Sequence, residues 1–239
     1  MTSKIAENAG RIREAVKKAA IDAGRGSYEI RILAATKYTD RSGAEELVRS
    51  GITIIGENRV QDAMKKLGAS DDGSQPDIHS VHPETEIHMI GHLQKNKVNQ
   101  ALGLFDSLDS LDSIILADAL EKRLEARDRI LPVLIEVKLT GEETKSGISQ
   151  NEVPALIEHV FSDCPHISIR GVMGMGPWDP NPETARPFYR ELKSIFDSLR
   201  KDIDKSCAFD TISMGMSADF QVAIQEGATM VRIGRALFE

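Results

Sequence analysis

Apolar residues recur at three- and four-residue intervals at the start of the chain, at Ile5, Ala9, Ile12, Val16, Ala19 and Ala20, and Gly24 lies just beyond them. This spacing predicts an amphipathic helix that stops near the glycine. After it the pattern changes to short β-favouring runs, at about 30–35, 52–55, 87–90, 104–108, 133–137, 168–173, 210–214 and 229–233. Helical periodicity fills the gaps, at roughly 40–50, 57–67, 94–102, 113–126, 150–161, 183–201 and 217–226. Alternating strands and helices predict a parallel sheet covered by helices. Eight strands in this alternation fit a single-domain (β/α)8 TIM barrel over residues 1–239 with an additional N-terminal helix. An open doubly wound sheet is the alternative. The stretch 69–86, ASDDGSQPDIHSVHPETE, is polar and rich in turn residues, and reads as a long surface loop.

Composition narrows the class without changing the fold. Of 239 residues 41% are hydrophobic and 28% charged, enough apolar side chain for a core and too much for a disordered chain. A net charge of −7 argues against a dominant nucleic-acid surface, and no apolar run approaches the length of a membrane span. The N-terminal segment MTSKIAENAGRIREAV lacks the apolar core of a secretory signal. Cys164 and Cys207 fit no disulfide framework or zinc spacing, and His79, His82, His88 and His92 cluster in sequence without forming a recognised ligand set. The charge run 121–129, EKRLEARDR, suits a solvated helix face. These features point to a cytoplasmic, reduced protein with no resident metal.

A barrel puts its reactive groups at the C-terminal ends of the strands, so candidate chemistry is sought there. Lys37 directly follows the apolar run IRILAAT. A neutral lysine amine at such a position can attack a carbonyl to form a Schiff base, whereas its ordinary role is a solvated strand-end charge. The other strand ends carry SMGMSADF (213–220) and VRIG (231–234). Ser217 is expected at a helix N-terminus, where its hydroxyl and free backbone N–H groups suit a phosphate, and Gly234 permits close backbone approach. Gly215 has the same conformational use.

Seven segments, LAATK (33–37), GENRVQ (56–61), IGHLQKNK (90–97), TKSGI (144–148), RGVMGMG (170–176), SMGMSADF (213–220) and VRIG (231–234), together resemble the pyridoxal-phosphate homeostasis proteins over nearly the whole chain. The resemblance implies a barrel similar to the N-terminal domain of alanine racemase, with pyridoxal 5′-phosphate (PLP) held as an internal aldimine on Lys37. By motif position Ser217, Gly234 and Arg235 match the phosphate cradle, and Arg232 matches the arginine facing the pyridine nitrogen. Asn58 matches a position near the cofactor ring and is also suited to turn formation. Met173 either packs under the ring or fills the barrel core. Gln94, Asn96, Lys97 and Lys145 are weaker candidates, better read as surface polar groups. Three departures stand out: the chain ends at Phe238-Glu239 where many relatives continue, Lys138 replaces a short polar residue, and the 69–86 loop is longer than usual.

The resemblance implies a PLP-binding protein of vitamin B6 and amino-acid homeostasis with little or no turnover. Racemisation needs acid/base groups on both faces of the cofactor, and none of Tyr28, Tyr38 and Tyr189 lies in a motif that would supply the second. The alternatives are a weak PLP-dependent amino-acid racemase and a PLP-independent Schiff-base lyase. PLP is the expected partner, and PLP-dependent apoenzymes are a partner class left open. The expected state is a monomer.

Overall fold

The computed structural model describes residues 3–70, 72–140, 146–204 and 207–239. Its first element, α1 (Lys4–Asp22), is capped by Ser3, whose hydroxyl accepts from the Ala6 N–H, and it buries Ala9, Ile12, Val16, Ala19 and Ala20. Gly24 follows with φ +70, a left-handed conformation that glycine adopts without cost.

Eight strands come next: β1 (Arg31–Ala35), β2 (Ile54–Glu57), β3 (Glu86–Met89), β4 (Ser107–Leu111), β5 (Leu131–Val137), β6 (Ile167–Gly174), β7 (Thr211–Ser213) and β8 (Met230–Ile233). They form a closed barrel in sequence order, every pair parallel, with β1 closing on β8 through Leu33 opposite Arg232. The outer helices are α2 (Arg41–Arg49), α3 (Val60–Leu67), α4 (Ile78–Val81), α5 (Val98–Ala101), α6 (Ile114–Glu125), α7 (Val153–Asp163), α8 (Arg186–Asp202), α9 (Phe220–Gln225) and α10 (Arg235–Phe238). The helix α1 packs on α2, α9 and α10, so the N-terminal addition covers the seam where the barrel closes. Asn8 adds a buried hydrogen bond of 3.1 Å to the Leu237 carbonyl.

Side-chain alternation sorts each strand into two layers. Ala34, Ile55, Ile87, Val133 and Val231 face the helices in the main apolar core, while Leu33, Ile54 and Met230 form a separate cluster inside the barrel. Gly56 sits against that inner cluster, where a Cβ would lie 2.3 Å from Leu33 Cδ2. Carried around by register, the inner face also holds His88, Ser107, Asp109, Glu136, Met173, Ser213 and Arg232. The barrel interior is therefore markedly polar.

Three expectations need correction. Strand four is not 104–108 but Ser107–Leu111, because Leu104 and Phe105 are buried in the preceding turn while Ser107 and Asp109 alternate into the polar interior. The second strand likewise begins later than 52–55, at Ile54, since the Ile52 N–H bonds the Leu47 carbonyl at the end of α2. The 69–86 stretch is not surface loop throughout: it contains α4, buries Ile78 and Thr85, and its last residue opens β3.

Candidate functional site

The C-terminal ends of β1, β2, β6, β7 and β8 open into one cavity of about 400 Å³, lined among others by Lys37, Tyr38, Asn58, Met175, Ser217, Arg232, Gly234 and Arg235. Six of the seven expected site residues thus converge on one mouth.

Lys37 lies in the single 3-10 turn Thr36–Tyr38 that follows β1, so its exposed side chain leaves the barrel just where the strand stops. Its Nζ stands 5.1 Å from the centroid of the Tyr38 ring. The backbone of that turn is anchored from below. Thr36 donates its hydroxyl to Glu57 Oε1 at 2.5 Å, and Lys66 Nζ donates to the same oxygen at 2.8 Å and to the Thr36 carbonyl at 2.6 Å. Nothing in the pattern of the sequence announces this buried ion pair and its threonine, because the three residues come from three different elements.

Asn58 follows β2 directly and is exposed at the rim. Gly91 lets the 58 turn approach: a Cβ there would lie 2.4 Å from the Asn58 carbonyl oxygen.

Across the mouth, Ser217 is not at a helix N-terminus as expected. The helix α9 starts only at Phe220: Asp219 before it has φ −137, outside the helical range, and 216–219 form a turn in which the Asp219 carboxylate accepts the Met216 N–H at 2.6 Å. The Ser217 hydroxyl instead accepts from the backbone N–H of Gly234 at 3.2 Å and of Ala236 at 3.4 Å. A hydroxyl and two amide N–H groups therefore converge beside Arg235. Gly234 also keeps this corner open, since a Cβ would meet the Tyr38 ring at 3.1 Å.

Arg232 forms the base of the cavity. Its Nη1 donates to the Ser213 carbonyl at 2.7 Å and hydroxyl at 2.8 Å, and its Nη2 to the Gly174 carbonyl at 3.0 Å. Burial lowers its pKa, opposed mainly by Tyr189, Asp109, Glu136 and Asp219, but a guanidinium starts so high that it stays charged. Glu136, on the neighbouring inner face, is shifted the other way: burial raises its pKa, against a hydrogen bond from Ser146 and the charge of Arg232.

Met173 is not a lining residue. It is 1% exposed and packs inside the barrel, while Met175, two residues on and on the same face by strand alternation, reaches the mouth. The period of two in RGVMGMG contained that signal. Tyr38 and the exposed Trp178 are further lining residues that motif reading passed over. Gln94, Asn96 and Lys97 are outside the lining. Lys145 lies outside the described residues.

The donor set of this mouth suits a phosphorylated aromatic aldehyde. An amine stands at one side, a hydroxyl with two N–H groups at another, and a fixed cation below, in a volume of ordinary ligand-site size.

No protein-family model matches the chain. It is 38% identical to the pyridoxal phosphate homeostasis protein of Aquifex aeolicus over 97% of this chain and 96% of that protein. It is 33% identical to the pyridoxal phosphate homeostasis protein of Homo sapiens over 87% of this chain and 75% of the human one. Among solved structures, PipY of Synechococcus elongatus with PLP bound superposes with a TM-score of 0.82 at 26% identity, covering 98% of this chain and 100% of PipY. Alanine racemase of Clostridium difficile shares the fold at a TM-score of 0.70, with 13% identity over 97% of this chain and 56% of the racemase.

Proposed function

The chain belongs to the pyridoxal phosphate homeostasis protein family, and from that premise we propose that it binds PLP in the mouth cavity through a covalent link to Lys37 and serves PLP and amino-acid homeostasis in the cytosol with little turnover. The observation that carries this reading is the convergence of Lys37, the Ser217–Gly234–Ala236 donors and Arg232 on one cavity. The whole of 1–239 acts as one PLP-binding domain, as a monomer.

When bound, PLP supplies a conjugated ring able to accept electrons from an amino-acid α-carbon. The chain's own groups restrain that capacity. Ser217 and the Gly234 and Ala236 N–H groups would take the phosphate, and Arg235 adds positive charge at the same corner. Arg232 is permanently charged and buried, so it disfavours a second positive charge on a ring nitrogen beside it and weakens the ring as an electron sink.

Replacement of Lys37 by Ala is expected to abolish the borohydride-fixed PLP adduct while leaving the far-ultraviolet circular dichroism unchanged, because only the exposed nucleophile is lost. Intact-mass analysis after reduction reads the result. A full-occupancy adduct mapped to another residue in Lys37→Ala would reject this assignment.

A weak racemase reading has one observation in its favour, the Tyr38 phenol at the cavity wall. Against it, the two other tyrosines are excluded: Tyr28 is 89% exposed and no part of the lining, and Tyr189 is fully buried with its pKa raised by burial. The PLP-loaded wild type is expected to show little solvent-deuterium incorporation at the amino-acid α-carbon. Racemisation at rates on the order of 1 per second or faster would favour the enzyme instead.

A further inference from the structure

On the outer wall, away from the mouth, Asp118, His159 and Cys164 each offer one ligand atom, and these atoms all lie within 4.8 Å of one another. Asp118 is on α6, His159 on α7, and Cys164 closes α7 before β6. Tetrahedral zinc with bonds of about 2.0–2.3 Å holds its ligand atoms about 3.3–3.6 Å apart, so the three groups need to move by only about an ångström or less each to share an ion.

Two further features separate this cluster from an ordinary surface ion pair. His159 faces a carboxylate at each ring nitrogen: Nε2 is hydrogen-bonded to Asp118 Oδ1 at 2.7 Å, and Nδ1 lies 3.3 Å from Asp163 Oδ2. A metal-binding histidine is characteristically held this way, with one nitrogen on the ion and the other donating to a carboxylate. The Cys164 side chain, 1% exposed, has no hydrogen-bond partner among the described residues, although it sits beside these polar groups. The neighbouring acids make the place favourable for a cation. Glu121 receives His166 Nδ1 at 2.6 Å, and Asp163 adds a further carboxylate beside His159.

We propose that Asp118, His159 and Cys164 form a binding site for a divalent transition ion of the zinc class, with Asp163 orienting the histidine and water completing the shell. Carboxylate and imidazole displace water from the ion, and the metal–sulfur bond forms as the S–H bond breaks, its proton passing to the buffer with no change of oxidation state. Thiolate and imidazole ligands select zinc or cobalt over magnesium and calcium, which prefer oxygen. The site ties α6 to the end of α7, so its occupancy stabilises the outer wall and is independent of the cofactor reading.

Cobalt(II) chloride titrated into the PLP-containing protein is the direct test, read as a difference spectrum against the metal-free protein. The expected result is one tightly bound ion per chain, with intense d–d bands at the red end of the visible, where PLP does not absorb, and a thiolate-to-cobalt charge-transfer band. Both features are expected to persist in Cys207→Ser, which removes the exposed thiol, and the charge-transfer band to vanish in Cys164→Ser. Asp163→Asn is expected to weaken the ion about tenfold or more, as loss of an orienting carboxylate does. Asp118→Asn, at an exposed position, is expected to weaken it as well. A wild-type spectrum of weak octahedral type, a thiolate band that survives Cys164→Ser or disappears in Cys207→Ser, or Asp118→Asn binding cobalt as the wild type does would overturn the proposal.

Discussion

Ser217 accepts two rather long hydrogen bonds, 3.2 and 3.4 Å, from the Gly234 and Ala236 N–H groups, so these donors are engaged loosely and can turn to an anion at small cost. A phosphate bound there would gain charge-assisted bonds, each worth about 1.5–3 kcal/mol. Ser217→Ala is therefore expected to weaken PLP by roughly 10- to 100-fold and unphosphorylated pyridoxal much less. Equilibrium titration with both ligands decides it, and an equal loss for both would move Ser217 from phosphate recognition to folding. At this scale the motifs point to residues that the fold brings to one cavity, because Lys37, Arg232 and Gly234 sit in runs whose strand ends are marked by pattern. Motif reading left Met173 between ring contact and core, and the packed barrel decides for the core.

Among the elements, the β7–α9 connection positions half of the site. Gly215 has φ +90, and a Cβ there would lie 2.5 Å from Ala223 Cβ and 3.0 Å from Phe220 Cα. The first fact costs an L-residue about 1–2 kcal/mol, and the second forces α9 away from the strand. Gly215→Ala is expected to destabilise the protein by about 2–4 kcal/mol and to reduce PLP affinity in whatever remains folded, because the Ser217 turn moves with α9. Urea denaturation measures the first effect, and unchanged stability would show that the backbone relaxes freely. The error over where α9 begins has the same origin. Helical periodicity continues back to 217, but Asp219 has φ −137, outside the helical range, so the regular helix begins only at Phe220.

Across the whole molecule, the polar barrel interior is the least expected feature, and His88 makes it testable. Burial alone disfavours its charge, but Asp109 at 2.9 Å, assisted by Glu86, outweighs this and raises its pKa to about 9 from 6.5. A folded pKa above the unfolded one means that the pair's stabilisation is fully present below pH 6.5, declines as the pH rises, and is lost above about 9. The loss across that window is on the order of 3 kcal/mol. Unfolding free energies of wild type and His88→Gln, followed from neutral to alkaline pH, are expected to converge, and parallel curves would mean that His88 is neutral in the fold. By itself the sequence determined the number and order of the strands, the N-terminal helix and the longer helices between strands, and the segments that carry Lys37, Asn58, Ser217 and Arg232; the short helices α4 and α10 it did not announce. Those are local properties, written in periodicity and in short motifs. Only the tertiary structure decided the rest: the Thr36–Glu57–Lys66 anchor under Lys37, the His88–Asp109 pair, the burial of Ile78 within a polar stretch, and the meeting of Asp118 with His159 and Cys164. Each joins residues from different elements, and which side chains meet depends on barrel closure and register, which no local pattern encodes.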